Sequence, residues 1–236
     1  GRINNFKLLS FDMNYKEENK KSLKILDCTL RDGGYYNNWD FDIDLIREHI
    51  DVIRSCNIDI LELGFRSLIN DQYKGPLAFT RDDFLEKFDS KNLKIAVMVN
   101  IKEFEKHNEI KNKINRLFPF ESNNSKVDII RLACTYEEID KAKVVYQLLK
   151  EKGFEICINI MHGAFLDFKT LKDIANSIKK LSLSAIYLAD STGSMDAIEY
   201  NSKLKILTQE TNFDIGIHAH NNLGKALENT LSAISV

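Results

Sequence analysis

Short apolar runs alternate with longer amphipathic segments along this 236-residue chain, and this alternation limits the fold more than any other feature. Ile25–Leu30 is predicted to form a buried strand that ends at two glycines, and Ile60–Phe65 a second strand. Between them, apolar residues recur at a helical period from position 43 to 53, and Asp42 is predicted to cap that helix. Strands that alternate with helices pair in parallel through right-handed crossovers. The chain is therefore predicted to be an α/β protein.

The rest of the chain continues the pattern. Five more strands are predicted, at Lys94–Val99, Asp128–Ala133, Glu155–Ile160, Ala185–Ala189 and Asp214–Ala219. Four more helices are predicted, at Glu137–Glu151, Leu171–Leu181, Ala197–Thr208 and Lys225–Ile234. The polar stretches 70–90 and 108–126 predict surface loops or short helices.

Seven parallel strands fit either an open doubly wound sheet or a barrel. The phosphate-binding sequences G-x-G-x-x-G and G-x-x-x-x-G-K-[ST] do not occur, so we predict a TIM-type (β/α)8 barrel. Such barrels have eight strands and about 250 residues, and the eighth strand is predicted to be lacking or displaced. The barrel domain is assigned to residues 24–236 and is expected to be incomplete at its C-terminus. Residues 1–23 are assigned to an N-terminal extension.

Charge and composition exclude several classes of protein. The chain has 33 basic and 35 acidic residues and a net charge of −2, which gives no electrostatic footprint for nucleic acid or an anionic membrane. No apolar run approaches the roughly 20 residues of a membrane-spanning helix. The four cysteines form no C-x-x-C pair and lie in apolar sequence. They are predicted to be reduced, mostly buried thiols in a cytoplasmic protein.

Polar residues collect at the carboxyl ends of the predicted strands, where a parallel barrel has its active site. His218 and His220 end the seventh strand, and the strand period of two places both imidazoles on one side. Asp32 follows the first strand and adds a carboxylate. This set favours a divalent metal site over two structural histidines, and it admits Mg²⁺, Mn²⁺, Co²⁺, Fe²⁺ or Zn²⁺. No cysteine is predicted as a ligand, which argues against a closed structural zinc site.

Arg31 stands next to Asp32. A guanidinium beside a metal ion is suited to bind a 2-oxo acid and to stabilise its enolate; the alternative is a solvated loop arginine. The strand period would put Arg31 and Asp32 on opposite sides. We therefore expect the adjoining Gly33 and Gly34 to bend the chain so that both side chains reach the mouth of the barrel.

Four segments resemble motifs of one family. Leu26–Gly34 resembles the first-strand signature of the DRE-TIM metallolyases, the HMG-CoA lyase-like family, and His218–Thr230 resembles its seventh-strand signature. Leu61–Gly64 and Tyr187–Met195 stand where that family has its second-strand and sixth-strand motifs. The sixth-strand motif most resembles 4-hydroxy-2-oxovalerate aldolases, which cleave a 4-hydroxy-2-oxo acid to pyruvate and an aldehyde. The resemblance runs from about residue 24 to the end of the chain.

The resemblance implies a metal-dependent aldolase or lyase that acts on a small-molecule 2-oxo acid through a pyruvate enolate. It implies Asp32, His218 and His220 as metal ligands and Arg31 as the group that stabilises the enolate. Glu62 would line the site or orient Arg31. The predicted cofactor is a divalent metal ion, manganese first, with magnesium, cobalt or zinc as alternatives.

The acid–base group departs from the family pattern. The aldolases carry a histidine directly after the Arg-Asp-Gly segment, and here Tyr35 stands in its place. A phenol with an ordinary pKa near ~10 is a poor base at neutral pH, so either Tyr35 takes the role or His162, at the end of the fifth strand, does. Thr192 is implied as a substrate contact, with a turn hydroxyl as its alternative role.

Other functions stay open at this point. An acetyl-CoA-dependent Claisen synthase of the isopropylmalate or homocitrate synthase kind usually has Glu-Gln after Arg-Asp-Gly, whereas this chain has Gly34 and Tyr35. A metal-dependent hydrolase of the amidohydrolase kind would carry its H-x-H on the first strand. The alternative that is not an enzyme is a catalytically degenerate barrel used as a binding module. An open parallel edge also predicts a homo-oligomer.

Overall fold

The computed structural model describes residues 23–236, which form a curled sheet of seven parallel strands with helices between them. The strands are β1 (Leu26–Asp27), β2 (Ile60–Phe65), β3 (Lys94–Asn100), β4 (Ile129–Cys134), β5 (Glu155–Ile160), β6 (Ala185–Asp190) and β7 (Asp214–Ala219). They lie in the sheet in chain order. Among the described residues no eighth strand joins β7 to β1, which confirms a TIM-type barrel that lacks its eighth strand. The predicted extension lies outside the described residues except for residue 23.

Eight α-helices occur in the described part of the chain. They are α1 (Thr29–Gly33), α2 (Ile43–Ser55), α3 (Asp82–Leu85), α4 (Ile110–Leu117), α5 (Ile139–Glu151), α6 (Phe168–Ile178), α7 (Ala197–Glu210) and α8 (Ala226–Ala233). The α2 helix begins at its predicted cap, since the Asp42 carboxylate accepts the backbone N–H of Asp44 at 2.8 Å. Within residues 23–236, no helix has the length and apolar character needed to cross a membrane.

The main core lies between the sheet and its helices. All six residues of β4 are buried, as expected of a parallel strand that is covered on both faces. A second, smaller apolar cluster contains Ile60, Ala96, Ile129 and Cys157, from four neighbouring strands. Two of the four cysteines are buried, whereas Cys28 is partly exposed and Cys56 is exposed, and none of the four is in a disulfide. The prediction of mostly buried thiols therefore holds for only half of them.

The prediction of a strand from Ile25 to Leu30 is wrong after Asp27. The Asp27 carboxylate accepts the backbone N–H of Thr29 at 3.2 Å and its hydroxyl at 2.7 Å. These bonds start a helical turn, in which the N–H of Asp32 donates to the carbonyl of Cys28 at 2.9 Å. A side chain that captures a nearby backbone N–H offers the chain an alternative to the sheet, and α1 replaces the end of the strand.

The predicted role of the two glycines is also wrong. Gly33 and Gly34 have ordinary right-handed helical backbone angles. Other residues could therefore form the same bend. Gly34 is needed for a different reason, because a Cβ there would collide with the Trp39 ring. The Trp39 ring packs against the turn and its Nε1–H donates to the carbonyl of Arg31 at 2.8 Å. The indole thus fixes the turn that carries Arg31 and Asp32.

Candidate active site

The end of β7 brings two imidazoles together. His218 lies in β7 and His220 directly follows it, and their Nε2 atoms face each other at 3.0 Å. Both side chains are partly buried and lie on one side of the chain, as the strand period predicts. Two imidazole nitrogens at this separation are suited to bind one cation once both are unprotonated.

Asp32 approaches this pair from the opposite edge of the sheet, after β1. Its Oδ2 lies 3.4 Å from Nε2 of His218, and its Oδ1 accepts a hydrogen bond from Nη1 of Arg31. The two oxygens therefore have different partners, and Oδ2 is the one that faces the histidines. The carboxylate is partly exposed, with 34% of its side chain accessible, which leaves it open to a ligand from the mouth.

The backbone fixes the tautomer of His220. Its Nδ1 lies 3.2 Å from the carbonyl oxygen of Ser191, and a carbonyl accepts but never donates, so Nδ1 carries the proton. In the neutral imidazole Nε2 is then unprotonated and faces His218. A ring N–H held by a backbone carbonyl is a common arrangement around histidines that bind metals, because it orients the other nitrogen.

Charges in the cluster favour protonation states that suit cation binding. Burial would raise the pKa of Asp32, but the hydrogen bond with His218 and the charge of Arg31 outweigh it and lower the pKa to about 2. Burial lowers the pKa of His218, and the charges of Arg131 and Arg31 lower it further. At neutral pH the carboxylate is therefore ionised and His218 is neutral, as metal ligation requires.

A buried ion-pair network lies next to the cluster. Arg31 is 5% exposed, and its Nε–H donates to Oε1 of Glu62 at 2.7 Å. Glu62 is fully buried and accepts a second bond on Oε2, from Nη1 of Arg131 at 2.8 Å. Burial would raise the pKa of Glu62, but the two arginines lower it, so Glu62 stays ionised. In this structure Glu62 orients Arg31, one of its two predicted roles.

Arg131 is a site residue that the sequence analysis missed. Its side chain is fully buried, donates from Nη2 to Oδ1 of Asn159 at 2.9 Å, and stacks over the Tyr187 ring at 4.2 Å. Its Nε–H has no hydrogen-bond partner among the described residues. A single charge inside the apolar run of β4 was the available signal, because a charged residue is rarely fully buried unless it is paired.

Cys28 is a second residue that the sequence analysis missed. Its Sγ lies 3.6 Å from Oδ2 of Asp32 and 4.0 Å from Nδ1 of His218. Cys28, Asp32 and His218 form a group whose potential ligand atoms all lie within 4.8 Å of one another. Burial raises the pKa of Cys28 to about 12. The predicted strand hid this contact, because a strand separates residues 28 and 32 by about 13 Å, whereas a helical turn brings them within about 6 Å.

The two predicted acid–base groups lie in different surroundings. Tyr35 is 63% exposed, and its ring makes edge contacts with Trp39 and Phe65. Partial burial raises its pKa, so the hydroxyl stays protonated at neutral pH. His162 is exposed and has a left-handed backbone, and its backbone N–H donates to Oγ of Ser191 at 3.0 Å. Among the described residues, no hydrogen bond joins the imidazole of His162 to the cluster.

Thr192 lies in the turn after β6. Its hydroxyl donates to Oδ1 of Asp190 at 3.2 Å and lies 2.7 Å from Oγ of Ser194. These contacts describe a turn hydroxyl, the alternative given above, and its role toward substrate stays a prediction. Arg66, the arginine after β2, is also structural, since it donates to the carbonyl of Thr80 and to Asp82.

Comparison with known proteins assigns the chain to a family. A sequence model of the HMGL-like family matches residues 22–236. The chain belongs to the HMGL-like family. The predicted membership of the HMG-CoA lyase-like group is therefore confirmed. The N-terminal domain of a candidate aldolase from Bacteroides vulgatus has a similar structure, with 32% identity and a TM-score of 0.77 over 90% of this chain and 69% of that one.

Two similar sequences and one further solved structure are named as enzymes. It is 26% identical to the 4-hydroxy-2-oxovalerate aldolase of Geobacillus genomosp. 3, over 91% of this chain and 62% of that protein. It is 22% identical to the oxaloacetate decarboxylase of Mycobacterium tuberculosis, over 89% of this chain and 60% of that protein. The HMG-CoA lyase of Brucella melitensis shares the fold, with a TM-score of 0.69 at 14% identity over 90% of this chain and 77% of that one. The chain thus spans about three fifths of the two curated relatives.

Proposed function

We propose that this HMGL-like domain is a divalent-metal-dependent aldolase or lyase that makes or breaks a carbon–carbon bond of a 2-oxo acid through the enolate of pyruvate. One observation carries the proposal: Asp32, His218 and His220 converge beside the buried guanidinium of Arg31. The names of the relatives support it. Cleavage of a 4-hydroxy-2-oxo acid and decarboxylation of oxaloacetate both leave the enolate of pyruvate.

The donor set fits a divalent cation. Asp32 is ionised, His218 is neutral, and the Nδ1–H of His220 is held by a carbonyl so that Nε2 is free. One carboxylate oxygen and two imidazole nitrogens are a common ligand set for catalytic transition metals. An ion held by these residues would act as a Lewis acid toward the oxo group of the substrate.

Arg31 is proposed to stabilise the negative charge that develops as the enolate forms. Two of its nitrogens bind Glu62 and Asp32, which fixes the plane of the guanidinium before substrate arrives. A donor that is already oriented needs no reorganisation in the transition state, and such donors contribute the largest share of rate enhancement in many enzymes.

The charge of the cluster matches this substrate. Arg31 and Arg131 are balanced by Glu62 and Asp32, so these four side chains are together neutral. A divalent cation would leave a double positive charge, and the pyruvate enolate carries a double negative charge on its carboxylate and its enolate oxygen. The cluster is therefore proposed to favour the enolate over the singly charged 2-oxo acid.

A cavity that shares Phe65 with the surroundings of Arg31 is proposed to hold the other half of the substrate. This cavity of about 570 Å³ lies beside Tyr35 and Phe65 and is also lined by Asn100 and Lys102. Because its hydroxyl stays protonated, Tyr35 is proposed as a proton donor rather than a base. Within residues 23–236 no contact of the His162 imidazole supports either role, and its participation stays a prediction.

Deuterium exchange into the methyl group of pyruvate tests the proposal, because exchange requires the enolate but no aldehyde. The chain is incubated in D₂O with pyruvate and Mn²⁺ or Zn²⁺, quenched with chelator and analysed by proton NMR. We expect metal-dependent exchange that falls at least about 100-fold in Arg31→Met and is lost in Asp32→Asn. The control Asp44→Asn, at an exposed carboxylate, should exchange at the normal rate. Equal exchange in Asp32→Asn and the unaltered chain would contradict the proposal.

A further inference from the structure

Cys28 is the one thiol of the described residues that lies against the proposed metal ligands. It stands four residues before Asp32 on the α1 turn, so both side chains lie on the same face. Its Sγ lies near polar atoms of Asp32 and His218, although it also lines a cavity with apolar residues such as Leu26 and Ile217. The buried Cys134 and Cys157, by contrast, belong to the two apolar cores. Of these three cysteines, Cys28 is therefore the one placed to act as a ligand.

Three separations between neighbouring donor atoms are close to those expected around one zinc ion. Zinc bonds of about 2.3 Å to sulfur and about 2.0–2.1 Å to nitrogen or oxygen put neighbouring donors about 3.3–3.6 Å apart. Sγ of Cys28 lies 3.6 Å from Oδ2 of Asp32. That oxygen lies 3.4 Å from Nε2 of His218, which lies 3.0 Å from Nε2 of His220. Cys28, Asp32 and His218 offer ligand atoms that all lie within 4.8 Å of one another, and His220 adjoins this group through His218.

We propose that Cys28 is a fourth ligand of the metal centre and that its sulfur selects thiophilic ions, Zn²⁺ or Co²⁺, over Mg²⁺ and Mn²⁺. This inference rests on the proposed function, because it assigns a further ligand to the metal site of that function. Soft thiolate ligands favour zinc, whereas magnesium and manganese favour carboxylate, carbonyl and water. As the sulfur–metal bond forms, the thiol proton is released to solvent. The thiolate then lowers the charge of the metal-loaded cluster from two positive charges to one, which still attracts the doubly charged enolate more strongly than the singly charged 2-oxo acid.

Four protein ligands are compatible with turnover at such an ion. Catalytic zinc sites usually have three protein ligands and can expand from four to five ligands in the transition state, so a centre with Cys28 as its fourth protein ligand would have to expand to admit the substrate. The competing role for Cys28 is a hydrogen bond, since Sγ lies 4.0 Å from Nδ1 of His218. In that role the sulfur would orient the imidazole and never touch the ion.

Cobalt separates the two roles, because a bound thiolate gives Co²⁺ an intense near-ultraviolet charge-transfer band that oxygen and nitrogen ligands do not give. The metal-free, reduced chain is titrated with Co²⁺ and then with competing Zn²⁺ or Mn²⁺. We expect one equivalent of Co²⁺ to produce both this band and the weak visible bands of the ion. In Cys28→Ser the first band should vanish while the visible bands persist. Zn²⁺ should bind at least about tenfold more weakly, whereas Mn²⁺ affinity should change less than about threefold.

Two variants and one second measurement keep the outcomes distinct. Cys56→Ser removes an exposed thiol and should leave the charge-transfer band intact. Loss of the band in that variant overturns the inference while the metal site stands. Visible bands without a charge-transfer band in the unaltered chain have the same meaning. Failure of the unaltered chain to bind Co²⁺ at one equivalent, with Asp32→Asn behaving identically, overturns the proposed function itself. Cadmium NMR of the unaltered chain needs no variant: a resonance in the range of oxygen and nitrogen ligands alone also overturns the inference.

Discussion

The closed and the open side of the barrel differ in burial. Every residue of β4 is buried, and β3 and β5 are buried at all but their ends. On the open side, β1 is only two residues long. In β7, Asp214 is exposed and the other five residues are partly exposed. A cavity of about 280 Å³ between β1 and β7 is lined by residues such as Leu26, Tyr187 and Ile217. The sheet is therefore well packed in its middle and loose at its two edges.

The candidate site is divided between these two regions. Glu62 and Arg131 project from β2 and β4 and form the buried network of the closed side. The proposed metal ligands come from the α1 turn and from β7, at the two edges of the sheet. The Glu62 carboxylate, which orients Arg31, thus lies in the well-packed middle of the sheet. The metal ligands depend on how the open edges are held.

The largest effect is expected at the centre of the buried network. Glu62→Gln leaves Arg31 and Arg131 buried without a full countercharge, and loss of one partner of a buried ion pair costs about 3–5 kcal/mol. We expect the free energy of unfolding, measured with urea, to fall by that amount. Asp51→Asn, at an exposed pair with Arg54, should change it by less than about 1 kcal/mol. Equal losses in the free energy of unfolding for Glu62→Gln and Asp51→Asn would contradict the contrast between buried and exposed ion pairs.

A smaller effect is expected at the edges when metal is added. A ligand that binds only the folded state at 100 times its Kd stabilises it by about 2.7 kcal/mol. Since the ligands join the α1 turn to β7, added Zn²⁺ should slow amide hydrogen exchange most at β1, α1 and β7. The amides of β4 should change only with global stability. Protection spread evenly over the sheet, or equal protection in Asp32→Asn, would show that metal does not link the edges.

The smallest effect concerns pH on the closed side. Burial would raise the pKa of Asp82, but the charge of Arg66 and hydrogen bonds from Ser125 and Lys126 lower it. A lowered pKa adds stability above the unfolded value near ~4, and this stability is lost as pH falls through the folded pKa. Asp82→Asn should cost about 2 kcal/mol at pH 7, and the difference from the unaltered chain should shrink below pH 4. Urea unfolding of both chains at several pH values measures this difference in the free energy of unfolding. A difference that stays constant with pH would contradict the lowered pKa of Asp82.

Regular parts of the fold could be predicted from periodicity, and irregular parts could not. The bounds of β2, β5 and β7 agree with prediction, because their apolar residues recur in short runs or at the strand period of two. The α1 turn was missed because the hydrogen bond that the Asp27 carboxylate accepts from the backbone of Thr29 outweighs the strand pattern after it.

The candidate site was predicted in part for the same reason. His218 and His220 depend only on the strand period, and Asp32 on the position of strand ends in a barrel. Cys28 depends on a helical turn that the pattern does not show, and Arg131 on a partner 69 positions away in the sequence. Such long-range pairs depend on three-dimensional packing, which a single sequence does not display.

The chain order of the sheet bears on how the molecule folds. Each strand pairs with its neighbours in sequence, so the sheet can grow from β1 to β7 by closing short loops as the chain leaves the ribosome. Cys28 and His218 are 190 positions apart, and contacts between distant positions form late because they must overcome a larger loop-closure entropy. The barrel can thus be largely assembled while its chemistry is still absent, and the active site is the last part of the molecule to take shape.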